Sequence, residues 1–142
     1  MSNREKVVYI SGRYTAPTLE ARQRNIDDAM RVAAQVWDMG LTALCPHGNT
    51  ANLEEKVGQT GYEDFLAGDY ELLRRSDVVL MLPLWESSRG AKLERGYAET
   101  IGKPIKYSLR ELAEWMYQGG HATPLLFKDD GTINDFDAGD EI

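Results

Sequence analysis

Cysteine is all but absent from this 142-residue chain: Cys45 stands alone, which excludes an intramolecular disulfide and a thiolate metal cluster. Histidine is scarce too. His47 and His121 are the only two, and neither lies at i, i+3 or i+4 from another nitrogen or sulfur ligand, so neither a metal site nor a cofactor is expected. No run of about 18 apolar residues occurs. The opening stretch Met1 to Lys6 is charged rather than apolar, so the expectation is a soluble cytoplasmic protein with no membrane span and no signal peptide. An excess of positive charge is also missing. With 16 Lys and Arg against 23 Asp and Glu, the net charge is −7 and the isoelectric point about 4.8, a poor basis for gripping polymeric nucleic acid. Neither G-x-G-x-x-G nor G-x-x-x-x-G-K-[ST] is present, which counts against the usual dinucleotide and nucleoside-triphosphate sites.

What the chain does contain suits one domain with one core, placed at residues 1–128. Residues 129–142, DDGTINDFDAGDEI, hold six of the acidic side chains and no basic one. The remaining 128 residues therefore carry a net charge of only −1, and the last 14 read as a solvated, flexible acidic tail. VVYIS at 7–11, LTALC at 41–45, DVVLMLPL at 77–84 and PIKY at 104–107 are short apolar runs of the kind buried in parallel sheets, and TPLLF at 123–127 is a candidate fifth strand. Between them lie helical patterns. Leu19, Ile26, Ala29, Met30, Ala33, Val36 and Trp37 recur at three- and four-residue steps before a stop at Gly40. Further helices are expected over about 62–75, 91–101 and 108–118, the last opened by a Ser108–Glu111 capping box. The stretch from His47 to Gly61 shows no periodicity and reads as a long loop. Strand alternating with helix predicts an α/β flavodoxin-like three-layer sandwich, with a parallel sheet of four to five strands and helices on both faces.

In such a sheet, ligands bind beyond the carboxyl ends of the strands, which selects the residues to inspect. After the first strand come Ser11, Gly12 and Arg13, either an ordinary turn or a glycine that admits ligand beside a guanidinium fork. After the second come His47 and Asn49, either structural or in contact with ligand. After the third, Ser88 and Gly90 open a helix whose free amides favour an anion, although serine there is also an ordinary N-cap. Trp85 either stacks on a ligand or covers the helix below it. Asp69 aligns with Tyr62, Leu66 and Leu73 on one stripe, so its carboxylate points to the buried side of its helix and needs a partner or a task.

The segments VYISGRYT, GDYELLRRSDVVLMLP and WESSRGAKLERGYAETIGKPI together resemble the nucleoside 2-deoxyribosyltransferase superfamily over residues 7–107. The resemblance implies a role for Glu94, in Gly90-Ala91-Lys92-Leu93-Glu94, as the nucleophile on the sugar. It implies that Asp69 assists at the nucleobase and that Tyr9 orients Glu94. At the position six before the nucleophile, Ser88 resembles the serine of the 2'-deoxynucleoside 5'-phosphate N-hydrolase branch, where transferases carry aspartate. With Gly12, Arg13 and Gly90 it would cradle a phosphate. The implied activity is hydrolysis of the N-glycosidic bond of a (deoxy)nucleoside 5'-monophosphate. Alternatives are base exchange by a nucleoside 2-deoxyribosyltransferase, or a non-catalytic nucleotide sensor. A homodimer or higher homo-oligomer is also implied, because members of the superfamily borrow residues from a neighbouring subunit's C-terminal region. The acidic tail departs from the family pattern.

Overall fold

The computed structural model describes residues 3–56 and 58–119. Four short strands, β1 (Val7–Ser11), β2 (Thr42–Leu44), β3 (Val78–Met81) and β4 (Ile105–Lys106), form one parallel sheet in the order β2-β1-β3-β4. The helices are α1 (Leu19–Asp38), α2 (Pro46–Asn49), α3 (Tyr62–Arg74), α4 (Arg89–Thr100) and α5 (Leu109–Gln118). This is the α/β flavodoxin-like arrangement that the alternating pattern predicts, with four strands among the described residues. The candidate strand at 123–127 and the tail at 129–142 lie outside the described residues. No helix among the described residues is long and apolar enough to cross a membrane.

Two apolar clusters flank the sheet, and strand alternation decides which residues enter which. Val8 and Ile10 of β1, with Val78 and Leu80 of β3, pack against Ala29, Val32, Ala33 and Val36 of α1 and against Leu112, Ala113 and Met116 of α5. Tyr9, Val79 and Met81 point the other way, onto Leu73 of α3 and Ala91 and Ala98 of α4. Successive side chains of a strand alternate between faces, so Tyr9 and Ser11 are both committed to the α3/α4 side. β1 is paired on both edges, with Tyr9 opposite Leu44 and Val79, and Ser11 opposite Met81. Its geometry is therefore fixed.

The helix boundaries follow local chemistry. Thr18 caps α1 by accepting from the Ala21 amide at 3.1 Å, and Gly40 beyond its end takes a φ of 88°, where a side chain would be strained. Ser108 caps α5 by accepting from the Glu111 amide, while the Glu111 carboxylate accepts from the Tyr107 amide, one residue earlier than a standard capping box. Two expectations are corrected. Leu19, Met30 and Trp37 of α1 face solvent, at 64%, 46% and 44% exposure, and Val32 joins the core instead. Trp37 is covered by the Arg4 guanidinium, 5.1 Å from the ring centroid. The stretch after His47 is not simply a loop: Pro46 starts a helical turn as an N1 proline, and Leu53–Glu55 forms a 3-10 turn.

Gly12, just past β1, is required by packing. A Cβ there would lie 2.7 Å from Leu82 Cδ1 and 2.8 Å from Leu82 Cβ, and the latter is too close to the main chain to swing aside. We predict that Gly12→Ala lowers stability by about 1–3 kcal/mol, read as a fall in Tm in thermal unfolding. An unchanged Tm would mean that Leu82 yields at no cost.

Candidate active site

A cavity of about 340 Å³ opens over the carboxyl ends of β1 and β2, bounded by the first turns of α1, by α3 and by the start of α4. Its volume falls in the range of small-molecule sites, at the edge of the sheet where the strand order changes direction. Glu94, one turn into α4, is only 8% exposed and lines this space. The Ser11 hydroxyl donates to Glu94 Oε1 at 2.6 Å, and the Tyr9 hydroxyl donates to Glu94 Oε2 at 3.1 Å. Both donors come from β1 two residues apart, which strand alternation makes possible. Asp69 of α3, half-buried, reaches the same carboxyl group through a side-chain hydrogen bond.

The electrostatics follow from burial. Loss of water pushes the Asp69 carboxyl up to about 6 and the Glu94 carboxyl up to about 7, and the neighbouring Asp69 charge adds to the rise at Glu94. Hydrogen bonds from Ser11 and Tyr9 oppose it, because a hydroxyl donor favours the ionised form. Near neutrality the two carboxyls therefore hold one proton between them and titrate as a pair. Burial, followed by the Glu94 charge, holds the Tyr9 hydroxyl well above its ordinary value, so it stays a donor.

The other sequence candidates divide. Ser88 is the N-cap of α4, its Oγ accepting from the Ala91 amide at 3.1 Å, and it lines the cavity. Capping uses a lone pair of that oxygen and leaves its proton for a ligand. Gly90 lies beside it, with open space toward the cavity apart from the Tyr62 hydroxyl, which a Cβ would meet at 3.4 Å. Gly12 and His47 also line the cavity. His47 is held by a 2.6 Å contact between Nε2 and the Arg13 carbonyl oxygen, which requires that Nε2 carry the proton. Burial keeps its imidazole below its ordinary value and hence neutral at pH 7.

Arg13, Asn49 and Trp85 are not among the residues that line this cavity. Arg13 contributes its backbone carbonyl to His47. Asn49 faces solvent at the end of α2. Trp85 covers α4, with the Arg95 guanidinium 5.0 Å from its ring centroid and the Tyr107 ring at 6.0 Å. Among the described residues, the cation that lines the cavity is Arg22 of α1, bonded through Nη1 to Asn52 Oδ1 at 2.9 Å and Glu55 Oε1 at 3.0 Å, over the Tyr14 ring. Sequence reasoning missed it because its selection depends on where α1 begins relative to the strand end.

A family model described as "Domain of unknown function (DUF4406)" matches residues 6–107, which is most of the chain and includes every residue of the cavity wall. Among curated proteins none matches. Of solved structures, a 2-deoxyribosyltransferase from Bacillus psychrosaccharolyticus is similar at 19% identity and a TM-score of 0.50, over 70% of this chain and 69% of that one. A 2-deoxyribosyltransferase from Leishmania mexicana aligns at 22% identity and a TM-score of 0.47, over 70% of this chain and 61% of its own length. The first likeness is one of fold.

The pair of buried carboxyls has a measurable consequence for stability. Their folded values lie above the ordinary carboxylate range, so the folded state binds more protons than the unfolded chain between about pH 4 and 7. Their contribution is thus intact below about pH 4 and is lost as pH rises through 6 to 7. Asp69→Asn removes one ionisation, and we predict that its Tm relative to the wild type rises between pH 5 and pH 8. A difference in Tm that is flat with pH would show that the Asp69 carboxyl is not raised in the folded state.

Proposed function

The chain belongs to the DUF4406 family, and for this member we propose hydrolysis of the N-glycosidic bond of a (deoxy)nucleoside 5'-monophosphate, with Glu94 as nucleophile. The products are a free base and (deoxy)ribose 5-phosphate. The observation that carries this reading is a buried carboxylate held on both oxygens by hydroxyl donors, with the Asp69 carboxyl on the same wall of a nucleotide-sized cavity. A glycosidic bond breaks through an oxocarbenium-like state at C1', and two carboxyls are the groups such chemistry uses.

In the first step a Glu94 oxygen forms a bond to C1' as the C1'–N bond breaks. The departing base takes the electron pair, and the Asp69 carboxyl supplies its proton. In the second, a water oxygen bonds to C1' and passes its proton to Asp69, while the ester electron pair returns to Glu94. With Asp69 raised to about 6 and Glu94 to about 7, the pair carries a movable proton near neutrality that rests more on Glu94, and attack requires its passage to Asp69. The free hydroxyl proton of Ser88, the amides at the start of α4 and the Arg22 guanidinium supply donors and positive charge for one phosphate.

The test is a panel of nucleosides and their 5'-monophosphates, deoxy and ribo, with free base followed by chromatography. Base should appear fastest from a monophosphate, and Glu94→Gln should reduce release about a thousandfold or more. Arg22→Gln should erase the preference for the phosphorylated substrate, while Arg13→Gln should leave it. Release that survives Glu94→Gln contradicts the nucleophile assignment. Transfer to an added acceptor base would identify a transferase, and binding without release a sensor.

A further inference from the structure

The first strand brings two hydroxyls to Glu94, and the resemblance implies an orienting role for Tyr9 but none for Ser11. Ser11 makes the shorter bond, 2.6 Å against 3.1 Å for Tyr9, and is 1% exposed. Its backbone is equally constrained. Ser11 lies opposite Met81 in the parallel register, and its carbonyl accepts from the Leu82 amide at 2.8 Å. The side chain does not line the cavity, whereas Glu94 does. A ligand in the cavity therefore meets Glu94, while Ser11 stands behind it.

We infer that Ser11 is not a substrate-binding residue but a positioning residue, whose hydroxyl holds the Glu94 carboxylate ionised for attack and stabilises it again as it leaves C1'. The inference deepens the proposed reaction and rests on it for the identity of the nucleophile. A donor at 2.6 Å from a carboxylate oxygen is a short, charge-assisted bond, strengthened in a site from which water is excluded. In the attacking step it favours the ionised form of Glu94 against the burial that disfavours it. In the second step, as water bonds to C1' and the electron pair of the C1'–O bond returns to Glu94, the same donor meets the developing charge. Tyr9 supports the opposite oxygen, so the carboxylate is fixed at both ends and cannot rotate to a protein partner on one side only.

The ionisable groups around Glu94 are few. Tyr9 faces it from β1, and Asp69 and Tyr70 from α3. Cys45 at the end of β2 acts on Tyr9, Arg89 at the start of α4 acts on Tyr70, and His47 and Arg22 stand on the cavity wall. Among those in contact with Glu94, Ser11 and Tyr9 favour its ionised form and Asp69 opposes it.

The test compares wild type with Ser11→Ala and Ser11→Thr, measuring kcat and KM for base release across pH 4.5 to 8.5. Loss of the hydroxyl should move the acid limb of kcat/KM upward by about one pH unit, a roughly tenfold loss on that side. It should lower kcat and leave KM unchanged or reduced. Ser11→Thr retains the hydroxyl on a strand-favouring residue and should restore the wild-type limb. A limb that stays in place, or a raised KM with kcat intact, would overturn the inference and return Ser11 to a structural or substrate-binding role. Carbon-13 titration of the Glu94 carboxyl in the same proteins reads the same shift without substrate. An upward shift in Ser11→Ala with no base release from the wild type would support Ser11 and refute only the proposed reaction. No shift in that titration would refute the inference itself.

Discussion

A carboxylate removed from water has to be compensated, and the organisation of this protein's active edge depends on how Glu94 is compensated. An isolated buried charge is prohibitively unfavourable in an apolar interior and would simply protonate. Here the hydroxyls of Tyr9 and Ser11 reach one oxygen each, and the Asp69 carboxyl shares the proton that burial makes hard to lose. The balance leaves the pair half-titrated near neutral pH, a condition in which one group is able to attack while the other moves a proton.

Each of these contacts makes a demand on the fold. Two hydroxyls of one strand reach a single side chain when, like Tyr9 and Ser11, they lie two residues apart and face the same layer. That strand is held rigid because it is paired on both sides, by β2 and β3. Glu94 arrives from α4 and Asp69 from α3, and these helices pack together on the face that Tyr9 also enters. The opposite face, built from α1 and α5, contributes the bulk of the core and places Arg22 at the rim. Gly12 completes the arrangement by letting the chain leave β1 hard against Leu82.

The strands and long helices were legible because their signals are local: continuous apolar runs in VVYIS and DVVLMLPL, capping residues at Ser88 and Ser108, and a stop at Gly40. The stripe through Leu66, Asp69 and Leu73 was legible for the same reason, and both leucines are buried. What could not be read depends on the path of the chain in space. Leu19, Met30 and Trp37 have the spacing of a core stripe but lie on its flank, where Arg4 covers the tryptophan. Arg13 sits in the expected loop, yet Arg22, nine residues later, is the cation on the cavity wall. Trp85 found partners in Arg95 and Tyr107, neither of them adjacent in sequence. Ser11 did carry a signal, since its two-residue separation from Tyr9 on a strand sets both on one face.

The central claim is that Glu94 forms a covalent bond to the sugar. It is tested most directly by incubating the protein with a 2'-fluoro-2'-deoxynucleoside 5'-monophosphate, whose fluorine slows breakdown of the ester, followed by intact-mass measurement and peptide mapping. The account predicts a mass increase of one sugar phosphate, carried on the peptide that contains Glu94 and missing from Glu94→Gln. An adduct on Asp69, or release of base in a burst with no adduct at any residue, would contradict it.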